Sequence, residues 1–320
     1  MFHYEPKNLS VAEVHRLLLG GVAPRPIALV STISKDRVNN LSPFSFFNAF
    51  GANPPVVAFS PSRRGRDASL KDTYNNLIET KECVIQVVTH SMVEQVSLAS
   101  VEFLSDIDEF IKSGLTPIDS DIVKPKRVKE SPFQMECKLW EMKSYGNGGA
   151  SANIAICEVL KFHVAEDLFT NGIIDPLKID LIGRMSGDFY TRADSGVFVV
   201  EKPIGKKCIG YDQIPQHIRE SETYSANDLG KFGNSESIPS DDEVKVFIQN
   251  IIEEKLEQFE SSIDAFQRYH RLNDYKKMLK AALMRKENKK INIALAAKIA
   301  LKNNDVDFAW RAALYAGTLK

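Results

Sequence analysis

The sequence predicts a mainly β domain of barrel or sandwich type, followed by a smaller all-helical unit. Three observations lead there. All 14 prolines lie at or before Pro239, and of 17 glycines only Gly317 lies after residue 233. Glycine and proline punctuate turns, so a turn-rich part gives way to a turn-poor one near 239. Within the first part, short runs of valine, isoleucine and phenylalanine recur between turn residues, which is the pattern of strands with few helices. Past Ser240, apolar residues recur at three- and four-residue steps, the period of a helix.

The elements follow in order. Strands are expected within 24–32, 54–60, 81–90, 131–142 and 150–164, with short helices at 10–19, 72–80, 91–100 and 106–113. Ser240 followed by Glu243 forms a capping box. From there Val244, Ile248, Ile251, Ile252, Leu256, Phe259, Ile263 and Phe266 make one apolar stripe, over about six turns at 3.6 residues each. Further helices are expected at 274–287, 289–303 and 305–316. Polar, glycine-bearing residues 201–239 read as an irregular connector. The expected division is 1–200, 201–239 and 240–320.

A chain of 320 residues holds one large or two ordinary domains. Its 41 Lys+Arg against 42 Asp+Glu argue against a whole-protein nucleic-acid binder or a polybasic membrane protein. The near-neutral sum hides an asymmetry. Residues 268–302 carry eleven Lys/Arg and two acids, a surplus of nine positive charges. A solvated helix surface accounts for this. A docking face for an acidic partner is the sharper reading, and no nucleic-acid motif accompanies it. Cysteines 83, 137, 157 and 208 have no C-x-x-C spacing and suit idle thiols in a reducing compartment. The N-terminus lacks the basic and then apolar pattern of a signal peptide, and no apolar run approaches the ~18 residues of a membrane span. A soluble cytoplasmic protein is expected.

There is no G-x-x-x-x-G-K-[ST] and no H-E-x-x-H, and the six histidines show no metal-ligand spacing, so no metal is expected. His163 reads as a strand residue. Gly146-Asn147-Gly148-Gly149-Ala150-Ser151 lies between two strand-like runs and reads as a hairpin turn rather than a dinucleotide loop. The stretch from Asn40 to Phe50 packs four phenylalanines into seven residues. On one strand, Ser42, Phe44, Phe46, Asn48 and Phe50 would share a face. That face suits a planar heteroaromatic ring, although taken alone the stretch reads better as an ordinary half-buried strand with aromatic packing. Ser60-Pro61-Ser62-Arg63-Arg64-Gly65-Arg66 is a cationic, hydroxyl-bearing loop, and Lys71-Asp72-Thr73 opens a helix. A helix N-terminus with a hydroxyl and a cation holds a phosphate well, although a plain capped surface helix has the same residues. Platform and cradle together describe a mononucleotide with a flat ring, which flavin mononucleotide (FMN) fits.

These motifs resemble the flavin reductase-like, FMN-binding split-barrel family. The matching segments are Pro24-Arg25-Pro26-Ile27-Ala28-Leu29-Val30-Ser31-Thr32, Asn40 to Phe47, Asn53-Pro54-Pro55-Val56-Val57, and Lys71-Asp72-Thr73 with Asn76. Gly183 to Arg192 is similar to the family's closing G-R-x-G-G-x-x-Y-x-R segment, with Ser186 in place of the first of its paired glycines. The resemblance covers about 1–195. It implies a six-stranded Greek-key split barrel, a homodimer, and FMN near the subunit interface. Ser42, Pro43, Phe44, Ser45, Phe46, Phe47 and Asn48 would line the isoalloxazine. Ser60, Arg63, Lys71 and Thr73 would hold the phosphate, with Asp72 in the same motif. Arg25 would stand beside the flavin or serve the strand structurally, and Tyr190 and Arg192 would cover the cofactor. The implied activity is hydride transfer from NAD(P)H to flavin N5 and electron transfer onward, with no protein nucleophile. Two further readings are a flavoredoxin-like electron carrier with tightly bound FMN and a non-catalytic flavin-binding interaction protein.

Overall fold

A computed structural model describes residues 1–194, 196–256, 259–260 and 265–319. The chain forms two compact units, Met1–Val199 and Val200–Lys320.

In the first unit the strands are β1 (Ala28–Ile33), β2 (Asn39–Phe44), β3 (Phe47–Ala52), β4 (Pro55–Phe59), β5 (Glu82–Gln86), β6 (Pro117–Ile118) and β7 (Arg127–Val128). They continue as β8 (Phe133–Tyr145), β9 (Ala152–Val164), β10 (Phe169–Thr170), β11 (Ile173–Ile174), β12 (Ile182–Arg184) and β13 (Tyr190–Arg192). Seven make one antiparallel sheet in the order β2-β1-β5-β8-β9-β4-β3. Its two end strands, β2 and β3, are consecutive in the chain and separated only by Ser45 and Phe46. Counted as one interrupted strand they give the expected six; counted singly they are seven. The six-residue loop 146–151 between β8 and β9 is the expected hairpin connection.

The interruption corrects the expectation of one shared face. Val30 opposes Ser42 and Ala28 opposes Phe44, so Ser42 and Phe44 point to the inner side of β1. Beyond the break, Phe47 opposes Phe59 and Ala49 opposes Val57, so the inward set shifts by one residue. Phe44 and Phe59 meet in the core, with ring centroids 5.2 Å apart. Phe46, Asn48 and Phe50 are exposed instead.

Two apolar clusters hold this unit. One lies inside the sheet around Val30, Phe44, Phe59, Ile85 and the three buried cysteines Cys83, Cys137 and Cys157. The other joins Leu29 and Leu41 on the outer face to Val96 of α3 (Val93–Leu98) and Phe110 of α4 (Glu109–Ser113). Each fully buried side chain of this size contributes roughly 1.5–3 kcal/mol. Helix α1 (Val11–Gly21) opens on a capping box, Ser10 accepting from the Glu13 amide while Glu13 accepts from the Ser10 amide. Helix α2 spans Asp72–Thr80.

The second unit contains α5 (Gln216–Arg219), α6 (Ala226–Gly233), α7 (Asp241–Glu253), α8 (Ala265–Arg271), α9 (Tyr275–Leu283), α10 (Lys289–Lys302) and α11 (Val306–Thr318). Residues 201–239, read from composition as a connector, supply Ile214, Ile218, Tyr224, Leu229 and Phe232 to its core. The capping box at Ser240 and Glu243 forms as expected. The long stripe does not make one helix: α7 ends at Glu253, and Lys280 donates to the freed carbonyls of Ile252 and Glu254. Ile263 of that stripe lies outside the described residues. Among the described residues, no helix is long and apolar enough to cross a membrane.

Candidate functional site

The break between β2 and β3 is held by Arg25, which is buried. Its Nη1 donates to the carbonyls of Leu19 and Val22 at the end of α1, both at 2.7 Å. Its Nη2 donates to Met185 O at 2.8 Å, and Nε to Ser45 Oγ at 3.3 Å. Burial, with Arg184 nearby, lowers its pKa from the ordinary value. Of the two roles expected for Arg25, the structural one is visible: it ties α1, the Ser45 turn and the 183–192 segment together.

That segment is β12 paired with β13, and its backbone bridges back to Arg25 through Arg184. Gly183 is required there, because a Cβ would stand 2.9 Å from Pro24 Cβ. Gly187 has φ +57°, where glycine is favoured, whereas Ser186 needs no positive φ. The serine that departs from the family pattern therefore occupies the undemanding position. Tyr190 receives the Arg184 guanidinium over its ring at 4.7 Å, and Arg192 grips Asp180 at 2.6 and 3.0 Å. Both expected cofactor-covering residues are thus engaged within this hairpin's surroundings.

The cationic loop follows β4. Ser60 Oγ and Ser62 Oγ are 2.9 Å apart, and the Ser60 amide donates to Phe46 O at 2.9 Å. Arg63 is fixed by Nη1 on Ala68 O at 2.8 Å and by backbone bonds to Ala150 and Ser151 of the hairpin. Its Nε is buried without a hydrogen-bond partner among the described residues. Arg64 is turned to Asp72 and Glu102, each at 3.5 Å. Gly149 lets the hairpin close on this loop, since a Cβ there would lie 2.4 Å from Gly65 O. Close backbone approach thus explains Gly149, and a φ of +87° favours glycine at Gly146.

Lys71 is the N-cap residue of α2, and its ammonium lies 5.9 Å from the Phe44 ring centroid. Burial, followed by Arg64, lowers its pKa. Thr73 is 1% exposed, and its hydroxyl donates to Asn40 Oδ1 at 2.8 Å. The proton of that hydroxyl is thereby committed to the protein rather than free for a ligand. Asn40 in turn donates to Glu109 at 3.0 Å, and Glu109 accepts from the Leu41 amide at 3.0 Å. Burial raises the Glu109 pKa, against its hydrogen bonds. This network, with Thr32 and Asn76, pins the start of α2 to β2. The sequence reading missed Asn40 and Glu109, because they lie 69 positions apart.

A cavity of about 480 Å³ lies beside these elements. Phe46, Ser60 and Ser62 form one wall, Ala150, Ala152 and Ile154 another, and Val14, His15 and Leu18 of α1 a third. His15 meets Phe46 edge-on at 6.4 Å. The site thus gathers Phe46 and Ser60 around the cavity, whereas Arg63 is not among its lining residues. It leaves Phe44 and Phe47 in the packing, and Asn48 bonded to its own strand's Ala49 amide. The contribution of α1 was missed, although Val11, Val14 and Leu18 at helical spacing signalled an apolar face in need of a partner.

Asp121, Glu136 and His163 also converge. Glu136 accepts from the amides of Asp121, Ile122 and Val123 and sits 2.7 Å from His163 Nε2. Burial pushes its carboxyl up, but these hydrogen bonds outweigh it and pull the pKa down to about 2. Lys161 occupies Asp121. This knot ties the turn at 121–123 to β8 and β9, and each Glu136 oxygen already has two hydrogen-bond partners.

A cavity walled by an aromatic and two hydroxyls, beside a cationic loop on a split antiparallel sheet, is the candidate small-molecule site of this unit. The flavin reductase like domain model matches residues 20–178. An uncharacterised protein of Aquifex aeolicus is 38% identical over 181 residues, covering 56% of this chain and 90% of that one. Another from Halalkalibacterium halodurans is 36% identical, covering 62% and 95%. Among solved structures, nitrilotriacetate monooxygenase component B from Bacillus cereus is 30% identical with a TM-score of 0.59, covering 62% of this chain and 98% of its own. The 2-nitrobenzoate 2-nitroreductase of Pseudomonas fluorescens is 25% identical with a TM-score of 0.55, covering 63% and 96%. The chain belongs to the flavin reductase-like family, with a split-barrel domain and a C-terminal helical unit beyond the matched region.

Proposed function

We propose that the protein is an FMN-binding oxidoreductase of the flavin reductase type that takes hydride from NADH or NADPH. The carrying observation is the cavity at Phe46, Ser60 and Ser62, whose two serines lie on the same loop as the unpartnered Arg63 Nε. Its volume falls in the range of small-molecule sites, roughly 300–1,000 Å³. An orphaned buried donor on a cationic loop fits an absent phosphate. In this reading Ser60, Arg63, Lys71 and the first amides of α2 hold the phosphate. Phe46 and the 42–48 segment receive the ring, and Arg25 holds Ser45 in place. Bound FMN supplies the two-electron chemistry, accepting hydride and passing electrons to an acceptor. The residues bind, orient and exclude water, so no nucleophile or triad is called for.

The reading includes a homodimer. The apolar side chains of Val11, Leu17, Leu18 and Val22 on and after α1 are exposed, as is Phe50 on end strand β3. Such clustered exposure favours a partner surface. It also includes a cytoplasmic setting, in keeping with three buried free thiols. The test is FMN titration of the purified protein followed by steady-state oxidation of NADH and NADPH with free flavin. Binding with turnover supports the reading. No binding overturns it, and tight binding without turnover transfers it to an electron carrier.

A further inference from the structure

The second unit contains its own cavity, of about 510 Å³, remote in kind from the flavin site. Its mouth carries Lys286, Lys289 and Lys290, while Ile218, Ile291 and Ala294 are among its apolar walls. No aspartate or glutamate lines it, and none pairs with these three lysines among the described residues. Other cations of the basic stretch are neutralised: Arg268 by Glu260, Lys277 by Asp274, and Lys298 beside Asp228. Three lysines with no acid partner among the described residues therefore border this cavity.

Helix α10 begins at the same place. Asn288 is its N-cap residue, and its side chain caps nothing. The amides of Lys289, Lys290 and Ile291 precede the first ladder bond, which runs from the Asn292 amide to Asn288 O. An uncapped helix start presents several donors and a partial positive charge. A separate observation also points to an absent group. Tyr224 lines the cavity at 9% exposure, and its hydroxyl is buried with no hydrogen-bond partner among the described residues. Buried polar groups are nearly always paired, and each exception asks for a reason. Burial, and then Asp228, raises the phenol's pKa, so it remains a proton donor.

We propose that this cavity binds a small organic phosphate monoester, its phosphoryl group at the start of α10 and its apolar body inside. A tetrahedral dianion matches the number of donors better than a planar carboxylate, because three amides without ladder partners and three lysines border the cavity. The walls add an apolar complement that inorganic phosphate cannot use. The expected partner of the basic stretch thus becomes a small anion.

The test titrates phenyl phosphate into the full-length protein by calorimetry, with benzoate and inorganic phosphate as comparison arms. Phenyl phosphate should bind most tightly of the three. Lys289→Ala/Lys290→Ala should weaken it at least tenfold, whereas Arg63→Ala in the first unit should leave it unchanged. Amide chemical shifts locate the ligand without any variant: movement at 288–292 and Tyr224 supports the site. Absence of binding, benzoate binding as tightly, shifts confined to 60–73, or affinity unaffected by the lysine pair would overturn it.

Discussion

Replacing Arg25 by lysine preserves the charge and removes the fork. Arg25 serves four acceptors from three nitrogens, at 2.7, 2.7, 2.8 and 3.3 Å. A lysine has one nitrogen, and it cannot reach the end of α1, Met185 and Ser45 together. Losing two of these charge-assisted bonds at about 1.5 kcal/mol each costs about 3 kcal/mol of stability. Loss of the hold on Ser45 and on the 183–192 segment also loosens the ring side of the proposed flavin site. FMN affinity should then fall about tenfold, equivalent to about 1.4 kcal/mol. Urea unfolding with a shared slope gives the first quantity and fluorescence titration of FMN gives the second. A variant with an unchanged urea midpoint and unchanged FMN affinity would refute the clip.

Three other outcomes are expected. Gly149→Ala forces the hairpin off the cationic loop, costing about 1–3 kcal/mol and lowering FMN affinity through Arg63; urea unfolding and FMN titration measure both. Arg63→Ala should weaken FMN at least tenfold while riboflavin, which has no phosphate, binds as before; equal losses would count against a phosphate contact. Glu136 has a folded pKa of about 2, below the ordinary carboxylate value of 4.5, so its stabilisation is complete above about pH 5 and is lost as pH falls toward 2. A shift of that size is worth about 3 kcal/mol. Glu136→Gln should flatten the acid limb of the stability curve, and an unaltered limb would reject the assignment.

What could be read from the sequence was what is encoded locally. Helix α2 begins at Asp72 as expected from the helical spacing of Tyr74, Leu77 and Ile78, and Ser240 with Glu243 opens α7, because a capping box acts within one turn. The hairpin at 146–151 was legible from its glycines. Non-local arrangements were not. Asn40 looks like a surface polar residue until Thr73 and Glu109 arrive from other elements. The stripe past Glu253 keeps a helical period, yet α7 ends there, its last carbonyls met by Lys280 from α9. The five-residue face from Ser42 to Phe50 failed for a different reason. Phenylalanines at 44, 46, 47 and 50 satisfy either phase of alternation, so the pattern carries no mark of where the phase changes.

That break has a consequence for length. Inward residues Phe44 and Phe47 are three positions apart, and an odd spacing cannot be met by a straight strand. The kink at Ser45–Phe46 is therefore demanded by counting. Deleting either residue makes the spacing even, and the run from Ser42 to Ala49 could then straighten with the same side chains inward. Every chemical group of the packing would survive, but the turn that presents Ser45 to Arg25 would not. Insertions and deletions at this point should accordingly be far less tolerated than substitutions.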